Sequence, residues 1–85
     1  MVIQTTKTFD KQYSKLSPKI KTAFKTRVTA FATNPFDATL RNHALKGKYL
    51  GFRSIDITGD VRALYTTRGD IAIIFAFIGT HSQLY

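Results

Sequence analysis

The sequence predicts an α+β fold in the order β-α-α-β-β-β, with a helical hairpin packed on one face of a small, mainly antiparallel sheet. Three patterns carry this prediction. Ile71 to Ile78 is an unbroken apolar run of strand length, rich in Ile and Phe and closed by Gly79, the signature of a central strand covered on both faces. Between Thr8 and Thr33 apolar residues recur every three or four positions, the helical period. From Phe52 to Thr66 they alternate, the strand period.

Val2 to Thr6 is a short, weakly alternating first strand, expected at an edge or beside the central strand. Phe9, Tyr13 and Leu16 then define one face of a first helix, while Lys7, Lys11 and Lys15 line another at spacings of four. Like charges at that spacing cost roughly a few tenths of a kcal/mol each without a partner. Ser17-Pro18 opens the second helix, Ser as the N-cap and Pro in the first turn where its missing N–H is harmless. Asn34-Pro35 ends it near Thr33, because the residue before proline is pushed out of the helical region. Ile20, Phe24, Val28 and Phe31 form its buried stripe, and Ala23 and Ala30 permit close approach. Lys19, Lys21, Lys25 and Arg27 face outward. Phe36 to Asn42 is a loop anchored by Leu40. His43 to Gly51 is basic and punctuated by Gly47 and Gly51; a phosphate-facing loop and a plain β-turn with exposed lysines fit it equally.

The last three strands can be registered from their loops. With Thr58-Gly59-Asp60 as a three-residue hairpin loop, Ile57 meets Val61, Ile55 meets Ala63 and Asp56 opposes Arg62. A second loop at Arg68-Gly69-Asp70 sets Val61 against Phe77, Ala63 against Phe75 and Tyr65 against Ile73. Arg62 then lies beside small Ala76 on the face away from the helices, with Leu64, Ile74 and Ile78 as an exposed apolar strip. Ile78 leads toward His81, so this register gathers Arg62, Asp60, His81, Lys46 and His43 into one concave patch. Singly, each has an ordinary use: Asp56 and Arg62 as a cross-strand pair contributing about 0.2–1 kcal/mol, Asp60 as a turn residue, His81 as a surface histidine.

At 85 residues the chain is one domain, 1–85, near the size at which a single core is just sufficient. No apolar stretch approaches the roughly 20 residues that span a bilayer, and the N-terminal residues lack the pattern of a signal peptide. There is no Cys, so disulfides and thiolate metal sites are excluded. Two well-separated His and no carboxylate cluster are a poor metal-ligand set, and no metal or cofactor is expected. Thirteen Lys and Arg against five Asp and no Glu give a net charge of +8 at pH 7. Such a field attracts polyanions, whether RNA, DNA, an acidic protein or an anionic membrane surface, and it also serves solubility.

His43-Ala44-Leu45-Lys46-Gly47, Gly51-Phe52-Arg53-Ser54, Asp60-Val61-Arg62-Ala63-Leu64-Tyr65 and Ile78-Gly79-Thr80-His81-Ser82-Gln83-Leu84-Tyr85, set in this order of elements, resemble the RelE/ParE toxin superfamily of type II toxin–antitoxin systems. The resemblance is closest to the YafQ-type mRNA interferase branch, covers nearly the whole chain, and is most specific in the H-x-L-K-G loop and the G-T-H-x-x-L-[YF] tail. It implies a RelE-like fold and a cytoplasmic, metal-independent endoribonuclease that cuts mRNA on the ribosome. It also implies an acidic cognate antitoxin, joined with the toxin in a hetero-oligomer. Position by position, His43, Asp60 and His81 match acid–base positions, Arg62 the cation of RelE-like relatives, and Tyr85 a terminal aromatic. Arg53, Lys46 and Lys48 match RNA-holding positions, and Arg41 is grouped with them. Asp56 departs from the pattern, since close relatives can carry His there, which leaves the division between acid and base open.

RNA can be cut by its own 2′-OH if the site accepts that proton, stabilises the crowded phosphate and returns a proton to the departing 5′-oxygen. Histidine, ordinarily titrating near about 6.5, suits either transfer, and such a group contributes about 10²–10⁴-fold. His81 is the first choice for acid or base, and Arg62 for holding the phosphate. Asp60 is expected to orient a histidine or accept the 2′-OH proton, and Tyr85 to stack on a base or donate a proton. Two other classes remain: a ParE-like inhibitor of DNA gyrase, and a non-catalytic basic binding module. The set His43, Asp60, Arg62, His81 and Tyr85 favours the nuclease, because a pure binder needs no proton-transfer groups. The acidic antitoxin is expected on the strip of Leu64, Ile74 and Ile78, with self-dimerisation as the competing use of that surface.

Overall fold

The computed structural model describes residues 2–85. Strand β1 (Val2–Thr5) is followed by helices α1 (Lys7–Ser14) and α2 (Pro18–Thr33), then by strands β2 (His43–Ala44), β3 (Arg53–Asp56), β4 (Val61–Arg68) and β5 (Ala72–Thr80), and helix α3 (His81–Leu84). Short 3₁₀ turns at Ala38–Leu40 and Gly47–Tyr49 flank β2. The five strands form one sheet in the order β1-β5-β4-β3-β2, with β1 parallel to β5 and the other pairs antiparallel. The expected α+β order is present, extended by two short elements, β2 and α3.

Local chemistry sets the helix starts. Thr6 Oγ1 accepts from the Phe9 N–H at 3.0 Å, so α1 begins at Lys7, and the same hydroxyl donates to the Ala76 carbonyl at 2.8 Å. Ser17 Oγ accepts from the Ile20 N–H with Pro18 in the first turn. Two of the four cations expected to face outward from α2 are partly buried. Lys21 lies over the Tyr13 ring, 5.7 Å from its centroid, and Arg27 Nε donates to the Ile57 carbonyl at 3.4 Å.

The core lies between the helices and the sheet. Phe75 is fully buried at its centre, with its ring centroid 5.5 Å from Phe24, 5.8 Å from Phe31 and Tyr65, and 6.0 Å from Phe9. These separations suit edge-to-face and tilted aromatic packing.

The β3–β4 register is the expected one: Ile55 faces Ala63, Asp56 faces Arg62, and the Ile57 N–H reaches the Val61 carbonyl at 2.9 Å. The β4–β5 register differs. Arg68 pairs with Ala72, which moves the loop to 69–71 and the pairing two residues along β5, and a bulge opposite Leu64/Tyr65 inserts Ala76 as an extra residue. Val61 therefore faces Thr80, Ala63 faces Ile78, Tyr65 faces Phe75, and Arg62 faces Gly79 rather than Ala76. The bulge reverses the facing of everything after it. Ile78 joins the helix-side core at 1% exposure.

The expected exposed strip is thus overturned. Leu64 is 0% exposed and Ile74 is half-buried. The second face carries its own aromatic cover, in which Tyr49 packs on Phe52, Phe77 and Tyr85, with centroids 6.4, 5.6 and 5.7 Å away. The central strands are buried on both sides, as the apolar run of β5 requires.

Candidate functional site

On the face away from α1 and α2, a cleft of about 350 Å³ is lined by Arg41, His43, Leu45, Ser54, Asp56, Arg62, His81 and Tyr85. Asp56 and Arg62 stand opposite each other on β3 and β4, and their pairing puts Arg62 Nε 2.9 Å from Asp56 Oδ1. The remaining Arg62 donors turn into the hairpin loop. Nη1 donates to the Thr58 carbonyl at 3.0 Å and the Val61 carbonyl at 3.2 Å, and Nη2 to the Gly59 carbonyl at 3.2 Å. Of the five N–H groups of a guanidinium, one remains for a ligand, so Arg62 is fixed in place and mostly committed.

Arg41 supplies the second cation. It follows the first 3₁₀ turn, whose start is fixed by Asp37: that carboxylate accepts from the Thr39 hydroxyl and N–H, which hold its pKa below the ordinary value. Arg41 takes the left-handed conformation, φ 48°, unusual for a residue with a Cβ. Its Nε lies 3.3 Å from Asp56 Oδ2, and its side chain is 75% exposed. The pair joins a largely exposed guanidinium to a mostly buried carboxylate that Arg62 also holds, so Arg41 can turn to another anion while Asp56 keeps a cation. Two guanidinium groups on one carboxylate leave the cleft cationic.

The turn at Arg41 also orients His43. His43 Nδ1 lies 2.9 Å from the Arg41 carbonyl oxygen. A carbonyl can only accept, so Nδ1 carries the proton, and in the neutral ring Nε2 is an unprotonated acceptor.

His81 opens α3 and Tyr85 caps its C-terminal end, and Thr80 starts the helix through a capping box with Gln83. The His81 N–H is held by the Asp60 carbonyl at 3.0 Å, buried Leu84 anchors the turn, and Tyr49 Oη donates to the Leu84 carbonyl at 2.6 Å. The two rings meet across one helical turn with centroids 4.7 Å apart and their planes tilted by 45°. Removing the Tyr49 hydroxyl should loosen this end of the site. We expect Tyr49→Phe to cost about 1 kcal/mol locally and to speed amide exchange at Tyr85 roughly fivefold. An unchanged exchange rate by NMR would show that this bond does not hold α3.

The structure therefore brings His43, His81, Arg62, Tyr85 and Arg41 to one cleft. It does not bring all the expected residues there. Asp60 is exposed in the hairpin loop and reaches the site through its backbone carbonyl alone. Lys46 and Lys48 are exposed outside the lining, Lys48 resting over the Tyr49 ring. Arg53 points to the helix side, donating from Nε to Asn42 Oδ1 at 2.8 Å and stacking over Phe36. Conversely, Asp56 and Ser54 share the site face of β3 and line the cleft. The alternation that set Asp56 against Arg62 also places Ser54 on that side.

Comparison with curated proteins gives no match. Among solved structures the chain is similar to YafQ from E. coli strain BL21(DE3), at 25% identity and a TM-score of 0.80 over 98% of this chain and 96% of that one. It is similar to YafQ in the E. coli DinJ–YafQ toxin–antitoxin complex, at 26% identity and a TM-score of 0.78 over 98% and 94% of the two chains. It is also similar to a copper-bound mutant toxin from Helicobacter pylori, at 27% identity and a TM-score of 0.74 over 100% and 99%. A family model described as the bacterial toxin of type II toxin–antitoxin system, YafQ, matches residues 1–85. With the fold and this match over its whole length in agreement, the chain belongs to the YafQ family of bacterial toxins of type II toxin–antitoxin systems.

Proposed function

We propose that this toxin is a ribosome-dependent mRNA endoribonuclease that cuts by 2′-OH attack and is neutralised in the cytoplasm by an acidic cognate antitoxin. The observation that carries the reading is the convergence of two imidazoles and two guanidinium groups on one cleft. Neutral His43, with Nε2 open as an acceptor, takes the 2′-OH proton as the 2′-oxygen attacks phosphorus. Protonated His81 delivers a proton to the 5′-oxygen as its bond to phosphorus breaks, leaving a 2′,3′-cyclic phosphate and a free 5′-OH. Arg62 meets the phosphate with its one free N–H and its charge, and Arg41 leaves Asp56 to bind it as negative charge builds. Tyr85, 46% exposed at the rim, offers a ring on which a base can stack. Lys46 and Lys48 are available to flanking phosphates, whereas Arg53 acts in the scaffold through Asn42 and Phe36.

The net charge of +8 favours an acidic partner, and the E. coli relative is known in complex with DinJ. The test is direct. Purified toxin added to programmed ribosomes should release mRNA fragments ending in a cyclic phosphate, and expression in cells should arrest translation. Intact mRNA, or filamentation with DNA damage in place of translation arrest, would overturn the reading.

A further inference from the structure

Ser54 is fully buried, and among the described residues its Oγ is a buried side-chain polar atom with no hydrogen-bond partner. Such a group works against folding, and alanine at this strand position would avoid the penalty. Ser54 is also part of the cleft lining. It pairs in register with His43 across β2 and β3 and lies two residues from Asp56 on the same face. An unsatisfied hydroxyl between a histidine acceptor and a carboxylate is a donor waiting for an oxygen.

We propose that Ser54 is a substrate contact that donates to the 2′-oxygen of the nucleotide being cut and thereby selects ribose over deoxyribose. The assignment rests on the nuclease reading above. In that reading the hydrogen of the 2′-OH goes to His43 Nε2, the cations Arg41 and Arg62 are taken by the phosphate, and the 2′-oxygen keeps lone pairs that need a donor. Asp56 as a carboxylate has none to give; the Ser54 hydroxyl has one. The same bond steadies the oxygen as it becomes the nucleophile. A deoxyribose in the cleft leaves Ser54 unpaired again, and a site built to bond a hydroxyl discriminates against the ligand that lacks it. Reaching Oγ requires the lining to part. Arg41, mostly exposed and held to Asp56 by an ion pair, is a lining side chain that can move aside.

The experiment compares the parent chain with Ser54→Ala in NMR titrations with a nucleoside 3′-monophosphate and its 2′-deoxy counterpart, beside thermal denaturation of both proteins. The parent should bind the ribonucleotide about three- to tenfold more tightly than the deoxynucleotide. Ser54→Ala should bind the two equally and melt at the same or a higher temperature. A variant that keeps the ribose preference, a parent that has none or binds neither nucleotide, or a variant that melts lower would each overturn the proposal. Cleavage on programmed ribosomes separates the two levels. A parent chain that cuts mRNA while Ser54→Ala keeps the preference removes Ser54 alone, and a parent that cuts nothing removes the reading beneath it.

Discussion

Replacement of His81 by Ala should reduce mRNA cleavage on programmed ribosomes by about 10²–10⁴-fold without moving the melting temperature. The imidazole is exposed on α3 and tilted against the Tyr85 ring, while the position of the backbone is fixed by the Asp60 carbonyl and the Thr80 cap. Nothing in the core depends on the ring, so stability should stay within about 0.5 kcal/mol. Arg62→Ala makes the informative contrast, because Arg62 is part of the frame as well as the site. Its removal opens four hydrogen bonds to Asp56, Thr58, Val61 and Gly59. It also leaves a carboxylate only 15% exposed with Arg41 as its remaining cation. Cutting should fall, and stability should fall with it by about 1–3 kcal/mol. Cleavage by His81→Ala within threefold of the parent would take the acid out of the mechanism.

The second large effect is on stability. Phe75→Ala should cost about 3–5 kcal/mol, as truncation of a buried aromatic does, and lower the melting temperature by roughly 12 °C or more in a domain of this size. Phe75 is 0% exposed and is in contact with aromatic rings from α1, α2 and β4. It also pairs with Tyr65 at the point where the β5 register changes. Phe77→Ala, two residues along on the half-exposed face covered by Tyr49 and Phe52, should cost less. Equal denaturation midpoints for the two variants would show that the aromatic cluster over the helix face is not the centre of the core.

How much of this was legible follows from how local each signal is. The Ser17-Pro18 start of α2 and the loop 58–60 are written in adjacent residues, so the second helix and the Asp56–Arg62 pairing can be read directly. Helix α3 is equally local: Thr80 with Gln83 three positions later is a capping box in the sequence itself. The bulge at Ala76 is not legible, because every residue from Ile71 to Ile78 is apolar and no alternation marks which side each one takes. That single inserted residue moves Ile78 into the core and sets Gly79 beside Arg62. Arg53 shows the opposite case: its alternation with Ile55 already assigns it to the helix side, whatever the resemblance suggests. The unpartnered Ser54 hydroxyl depends on atoms from several strands and has no trace in the residue order.

The parallel pairing of Val2–Thr5 with β5 bears on when the fold can be completed during synthesis. Of the five strands, the one translated first finds its neighbour only after the one translated last, and His81 and Tyr85 follow that neighbour. A nascent polypeptide still lacking residues 72–85 has neither the strand that joins β1 to β4 nor the His81 and Tyr85 side of its cleft, however long its helices have been outside the ribosome. The cleft is therefore assembled only once β5 and α3 have been made and β1 has paired with β5.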